Sequence, residues 1–192
     1  MNTSQQAGIP KLYLLLLGSK AANRNVEQHD YFFGIAHNLK ELIPNIKAFW
    51  PEAGGSIHID AWREVHKVDD YKIEVVSKDQ QVTPSENKLF FINLGGYQAN
   101  KMEEQHYTIL TVQSDRANAI SESKKTVFYK TNTLKGASSH IDDKYGIDVD
   151  EIYEIEDIVI PEHKEKYQVV ITKENGLPED EIHLGYLKLN KL

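Results

Sequence analysis

Cysteine is absent from the 192 residues. That excludes disulfides, a thiol nucleophile and cysteine-ligated zinc or iron–sulfur clusters, and it leaves His, Asp and Glu as metal ligands. It also fits a reducing cytoplasm, which is the expected location. Positive charge is scarce: 22 Lys and Arg stand against 29 Asp and Glu, for a net charge of −7. No segment concentrates the basic residues, so nucleic acid and anionic membrane surfaces are disfavoured as partners. Long apolar runs are missing as well. The run Leu12 to Leu17 ends at Gly18 after six residues, short of the roughly 7 to 15 of a signal core or the roughly 20 of a membrane helix. It reads as a buried strand.

What remains is the composition of an ordinary soluble globular protein, 40 % hydrophobic and 27 % charged. Its strongest feature is a repeated string. KLYLLLLGSKAANRNVEQH from Lys11 and KLFFINLGGYQANKMEEQH from Lys88 share nine of nineteen positions without a gap, where roughly one match is expected by chance, so the chain is read as an internal duplication. Residues 1–10 read as a disordered tail, 11–87 as the first unit and 88–192 as the second.

Each unit is predicted as β-β-α-β-β. A central strand ends at Gly18 or Gly95, a polar loop follows, and a second strand covers Asp30 to Ala36 or Tyr107 to Val112. Asn38 and Glu41 have capping-box spacing. Leu39, Leu42, Ile43, Ile46 and Phe49 form a helical stripe, which Pro44 is expected to kink or split into two short helices. In the second unit Ser114 or Asp115 is the expected cap, and Ala117, Ile120, Val127 and Phe128 make a poorer stripe. Pro51 to Ser56 is a turn, Ile57 to Val65 and Tyr71 to Val76 are strands, and Lys78 to Asn87 is a loop. YKIEVVSKDQ from Tyr71 resembles YQVVITKENG from Tyr167, and NLGGY ending at Tyr97 resembles HLGY ending at Tyr186. The expected class is α+β: two β-β-α-β-β repeats about an approximate internal two-fold, with mixed or antiparallel sheets each covered by a helix. The strand at Leu89 to Leu94 is expected to be shared, and a monomer or weak homodimer is expected.

The third strand admits two alignments. His58-Ile59-Asp60 matches His140-Ile141-Asp142, whereas HIDAWREV laid on DVDEIYEI puts Asp60 on Asp150 and Glu64 on Glu154. The second alignment is preferred, and it leaves His58 without a counterpart.

The strand-Gly-x3-Ala-Asn-[Arg/Lys]-x2-Glu-Gln-His string at Gly18 to His29 and Gly95 to His106, with HIDAWREV behind its first copy, resembles an uncharacterised bacterial family, domain of unknown function 1543, in its two-copy form. The resemblance implies no activity, substrate or cofactor.

The chemistry the motif offers is limited. Gly permits positive φ or close backbone approach, Asn23 and Asn100 can fold their amides onto the loop, and Glu27 and Glu104 can accept its amide hydrogens. Glu27 with His29, and Glu104 with His106, place a carboxylate beside an imidazole on one side of an extended segment. Such a pair suits a general base with its orienting group, half a metal site, or a structural contact. A metal needs about three protein ligands, and Glu27, His29, His58 and Asp60 suffice only if the strands bring them together; no metal or cofactor is assigned from sequence. Lys20, Arg24 and Lys101 lend the loop positive charge for an anion. Walker-type, dinucleotide, HExxH, nucleophile-elbow and calcium-loop patterns are absent. The candidate ligand-binding residues are therefore Asn23, Glu27, His29, His58, Asp60, Asn100, Glu104 and His106. The favoured function is a soluble binding or interaction module with a small ligand or protein partner, and the alternative is a small-molecule or metal-dependent enzyme using the two Glu-x-His pairs.

Overall fold

The computed structural model describes residues 8–97, 100, 102–126 and 147–192. The expected tail up to residue 7, the stripe residues Val127 and Phe128, and His140 to Asp142 of the alternative alignment lie outside the described residues. The chain divides into two compact units, Met1–Pro84 with Val159–Leu192, and Ser85–Ile158.

In the first unit, β1 (Lys11–Ser19) lies between β2 (Gln28–Ala36) and β3 (His58–Glu64), and β10 (His183–Lys188) closes the sheet on β3. Every ladder is antiparallel. The apolar run of β1 thus becomes a central strand, as its lack of alternation implies. Asn38 caps a 3-10 turn, Leu39–Leu42, by accepting from the Glu41 amide at 3.3 Å. The Glu41 carboxylate in turn accepts from the His37 amide at 3.0 Å. The helix α1 (Ile43–Phe49) begins where Pro44 falls in its first turn, because a missing amide hydrogen costs nothing there. The expected stripe is therefore carried by two short helices meeting at Pro44. It buries Leu39, Leu42 and Ile46 against Tyr13, Leu15, Leu17, Phe32 and Ile59 of the sheet. Each fully buried side chain contributes about 1.5–3 kcal/mol of transfer free energy.

A second, three-stranded sheet joins β4 (Lys67–Val68), β5 (Tyr71–Ser77) and β9 (Tyr167–Lys173). Tyr71 pairs with Lys173, Glu74 with Val170 and Ser77 with Tyr167, so the two strands that resemble each other in sequence lie side by side. The closing strands β9 and β10 pair with β5 and β3. Residues 159–192 accordingly belong to the first unit, where the sequence reading had placed them with 88–192. The strand hydrogen-bonded beside β3 is β10, rather than the strand at Leu89 to Leu94.

In the second unit, β6 (Lys88–Tyr97) lies between β7 (Glu104–Gln113) and β8 (Ile147–Glu154). Asp115 caps α2 (Arg116–Ser123) through the Asn118 amide at 2.8 Å. Phe90, Ile92, Leu94 and Ala119 form this unit's core. No helix among the described residues is long and apolar enough to cross a membrane.

The hairpin registers of the repeated strings coincide: Gly18 pairs with His29, and Gly95 with His106. The third strands follow the second of the two alignments. Gly18 pairs with His58 and Gly95 with Asp148, and a bulge interrupts each ladder at Asp60 and at Asp150. The bulge at Asp60 switches side-chain parity along β3, so that Ile59 before it and Trp62 after it both meet the core.

Candidate functional site

Gly18 is not the end of its strand. It sits inside β1, paired on one side with His29 and on the other with His58. Directly opposed residues point to the same face of a sheet, so the two imidazoles rise on either side of a position with no side chain. The need for Gly is steric. A Cβ there would lie 2.3 Å from Asp60 Oδ2 and 2.5 Å from His58 Nε2. The bulge swings the Asp60 carboxylate into this gap, and the loop returning to β2 brings Glu27 to it.

The resulting geometry is compact. His58 Nε2 lies 2.9 Å from Glu27 Oε1 and 3.2 Å from Asp60 Oδ1. The other oxygen of Asp60 is 3.1 Å from His29 Nε2. Donor atoms of Glu27, His58 and Asp60 fall within 4.8 Å of one another, and among the described residues no other group of three such side chains does. The depth is graded: the His58 side chain is 4 % exposed, that of Asp60 26 %, and those of Glu27 and His29 nearly half. The cluster is closed beneath and open towards the loop.

The contacts of His58 set it apart. Its Nδ1 lies 2.9 Å from the Ser56 carbonyl, and a carbonyl only accepts, so Nδ1 carries a hydrogen. In the neutral ring Nε2 then presents a lone pair, and it faces two carboxylates. Neither approach has hydrogen-bond geometry: Nε2 of His58 and Oδ2 of Asp60 are buried without a hydrogen-bond partner. Buried polar atoms left in that state cost about 1–3 kcal/mol each. Tyr186 covers the His58 ring at a centroid distance of 4.1 Å and 35°. It reaches there from a bulge in β10, where Gly185 takes φ 132° and two residues oppose Asp60 alone. Beyond it, Trp62 and His183 stack at 3.9 Å and 15°.

Four of the eight candidate residues, Glu27, His29, His58 and Asp60, therefore converge. The other four do not join them. Asn23 and Asn100 occupy left-handed backbone at φ 63° and 64°, a conformation Asn tolerates better than most residues. Asn23 makes no side-chain hydrogen bond to its loop. That segment is held instead by the Arg24 amide on the Ala21 carbonyl, and by Ser56, whose hydroxyl lies 2.6 Å from the Ser19 hydroxyl and 3.3 Å from the Lys20 carbonyl. Glu27, expected to accept loop amides, is turned to His58. Glu104 and His106 lie 3.6 Å apart, each more than a third exposed, and the register position of His58 is taken in that unit by Asp148. Sequence reasoning missed Ser56, Tyr186 and the spatial role of Gly18. The repetition of Gly at 18 and 95 was the available signal for the last of these.

Residues 24–75 match the model of the family described as Domain of Unknown Function (DUF1543), a span that contains all four converging residues. The crystal structure of a protein Il1583 from Idiomarina loihiensis has the same fold with a TM-score of 0.64. The similarity covers 94 % of this chain and 98 % of that one at 20 % sequence identity. No curated protein matches the chain.

Proposed function

We propose that this chain, which carries a domain of unknown function 1543 over residues 24–75, is a binding module for a divalent metal ion held by Glu27, His58 and Asp60, with His29 on the second oxygen of Asp60. The observation that carries this reading is His58 Nε2, a buried atom without a hydrogen-bond partner that lies beside two carboxylates while the opposite ring nitrogen is committed to the Ser56 carbonyl. A dication at the centre would bond the imidazole nitrogen and both carboxylates at once. The charges balance too, since two carboxylates and two neutral imidazoles sum to −2.

Distances and donor types agree with this. Ligand atoms about 2.0–2.1 Å from a tetrahedral ion stand about 3.3 Å apart, and His58 Nε2 lies 2.9 Å from Glu27 Oε1 and 3.2 Å from Asp60 Oδ1. Imidazole with carboxylate suits zinc, manganese, ferrous iron or cobalt, and the absence of thiolate disfavours copper(I). The Ser56 carbonyl is the outer partner that fixes the His58 tautomer, as such partners commonly do for ligating histidines. The half-exposed Glu27 and His29 leave the centre open on one side, the arrangement of a site that also takes an exogenous ligand rather than of a closed structural site.

The test is calorimetric titration of Zn2+ and Mn2+ into protein stripped with a chelator, on the wild type and on His58→Gln, Asp60→Asn and His106→Ala. One equivalent is expected to bind the wild type and His106→Ala alike, and at least about a hundredfold more weakly to the other two. Absence of binding to the wild type, or equal binding to His58→Gln, would refute the assignment. Bound metal at a hundred times its Kd should also stabilise the fold by about 2.7 kcal/mol.

A further inference from the structure

Beside the His58 cluster, and within the same unit, lies a cleft of about 340 Å³. Ser56, whose carbonyl takes the His58 ring hydrogen, and Tyr186, whose ring covers His58, are both in its wall. Lys188 pairs with His58 across β10 and β3, so its side chain leaves the sheet on the His58 face, and it lines the cleft together with Lys47 from the end of α1. Neither lysine has an ion-pair or hydrogen-bond partner among the described residues, and no carboxylate lines the cleft. Two ammonium groups therefore share one cleft with no acid in its lining, in a chain of net charge −7. The wall between them is stripped bare: Gly54 and Gly55 have no atom within 4 Å of where a Cβ would stand, and Gly54 is held at φ 53°. Its size is that of a small-molecule site.

We infer that this cleft is an anion subsite, and that the ligand of the chain is a small oxyanion-bearing molecule. Its carboxylate or phosphate is bound by Lys47 and Lys188, and a second donor group reaches past Tyr186 to the metal. The inference rests on the metal reading only for that second anchor; the lysine subsite stands on its own lining. Lysine is suited to this as a strongly hydrated point charge on a flexible stem, able to follow either a tetrahedral or a planar oxyanion. The metal and the lysines then recognise opposite ends of one molecule, which gives selectivity for short acids of a particular length over bare anions.

The experiment uses the full chain and two probes, inorganic phosphate and succinate. Each is titrated at constant ionic strength against chloride, with and without one equivalent of Zn2+, into wild type and Lys47→Met/Lys188→Met. Both substitutions are on exposed side chains, and an unchanged melting temperature verifies the fold. The expected result is binding of at least one probe to the wild type and at least tenfold loss in the double variant, with Zn2+ affinity unchanged. Succinate, with a carboxylate at each end, is expected to gain from Zn2+ and phosphate to gain less; equal affinity of succinate with and without Zn2+ overturns the second anchor. Equal affinity of the wild type and the double variant, or no binding of either probe to the wild type, overturns the subsite. Lysine-dependent binding in a protein that takes up no metal upholds the subsite and overturns the metal reading alone.

Discussion

Gly18→Ala is the sharpest single perturbation the fold offers, because one methyl group is aimed at the two groups that define the site. The added carbon would stand 2.3 Å from Asp60 Oδ2 and 2.5 Å from His58 Nε2, where carbon contacts settle at about 3.5–4.0 Å. Both side chains must withdraw by roughly 1 Å. For ligands that have to reach a metal within about 0.2 Å of their ideal distance, that is removal from coordination. The fold suffers less. The Asp60 carboxylate, 26 % exposed, can rotate away, and Ala loses less chain entropy than Gly by about 0.5–1 kcal/mol, which offsets part of the usual 1–3 kcal/mol of overpacking. A net loss of about 1 kcal/mol is expected. Gly34→Ala provides the contrast. Its Cβ would meet Leu42 Cδ2 at 2.7 Å and Phe32 Cε1 at 2.9 Å, both in side chains with at most 1 % exposure and no room to retreat. It should lose about 2–3 kcal/mol and leave zinc affinity unchanged. The assay is urea unfolding of the stripped proteins beside zinc titration of the folded ones. A Gly18→Ala variant that binds zinc as tightly as the wild type would refute the reasoning, as would a Gly34→Ala variant that loses as much affinity as Gly18→Ala.

His163 is a separate, structural histidine that should make stability pH-dependent. Its buried Nδ1 accepts from the Ile35 amide at 3.0 Å, and burial, with Lys166 nearby and against the pull of Glu162, holds its pKa below the ordinary value. A depressed pKa means that its contribution is complete above about pH 6.5 and is lost as pH falls through the lower folded value. The wild type should therefore lose more stability than His163→Gln between pH 7 and pH 5 in chemical denaturation; parallel curves would contradict this. His163→Ala at pH 7 leaves the Ile35 amide unsatisfied and should cost about 1–3 kcal/mol. At Asn23, where φ is 63°, Asn23→Gly should be neutral within a few tenths of a kcal/mol and Asn23→Ala should cost about 1 kcal/mol, both with metal affinity intact. A tenfold loss of affinity in Asn23→Gly would return Asn23 to the site.

Local rules made much of the fold legible. The capping box at Asn38 and Glu41 and the split at Pro44 are written within a few residues of each other, and they appear as written. Half of the site was legible as well, because Glu27 and His29 adjoin each other and His58 and Asp60 do too. What joined the halves was strand pairing over separations no periodicity encodes. β10 meets β3 and β9 meets β5 across about a hundred residues or more of chain, so the segment that supplies Tyr186 and Lys188 read as the end of the other unit. Gly18 was misread for the same reason. Its need for space comes from side chains forty residues away, and a glycine at the end of an apolar run looks locally like a strand exit. The two hairpins carry the argument one step further. Gly95, Glu104 and His106 stand in the same register as Gly18, Glu27 and His29, yet the residue facing Gly95 from the third strand is Asp148 where the residue facing Gly18 is His58. The repeated string thus accompanies the hairpin in both units, while the cluster of the first unit draws in addition on His58 and Asp60 from outside the string. The group that converts one hairpin into a candidate metal centre is an imidazole outside the string, and placing a histidine at position 148 is the substitution by which the second unit would be tested for the same capacity.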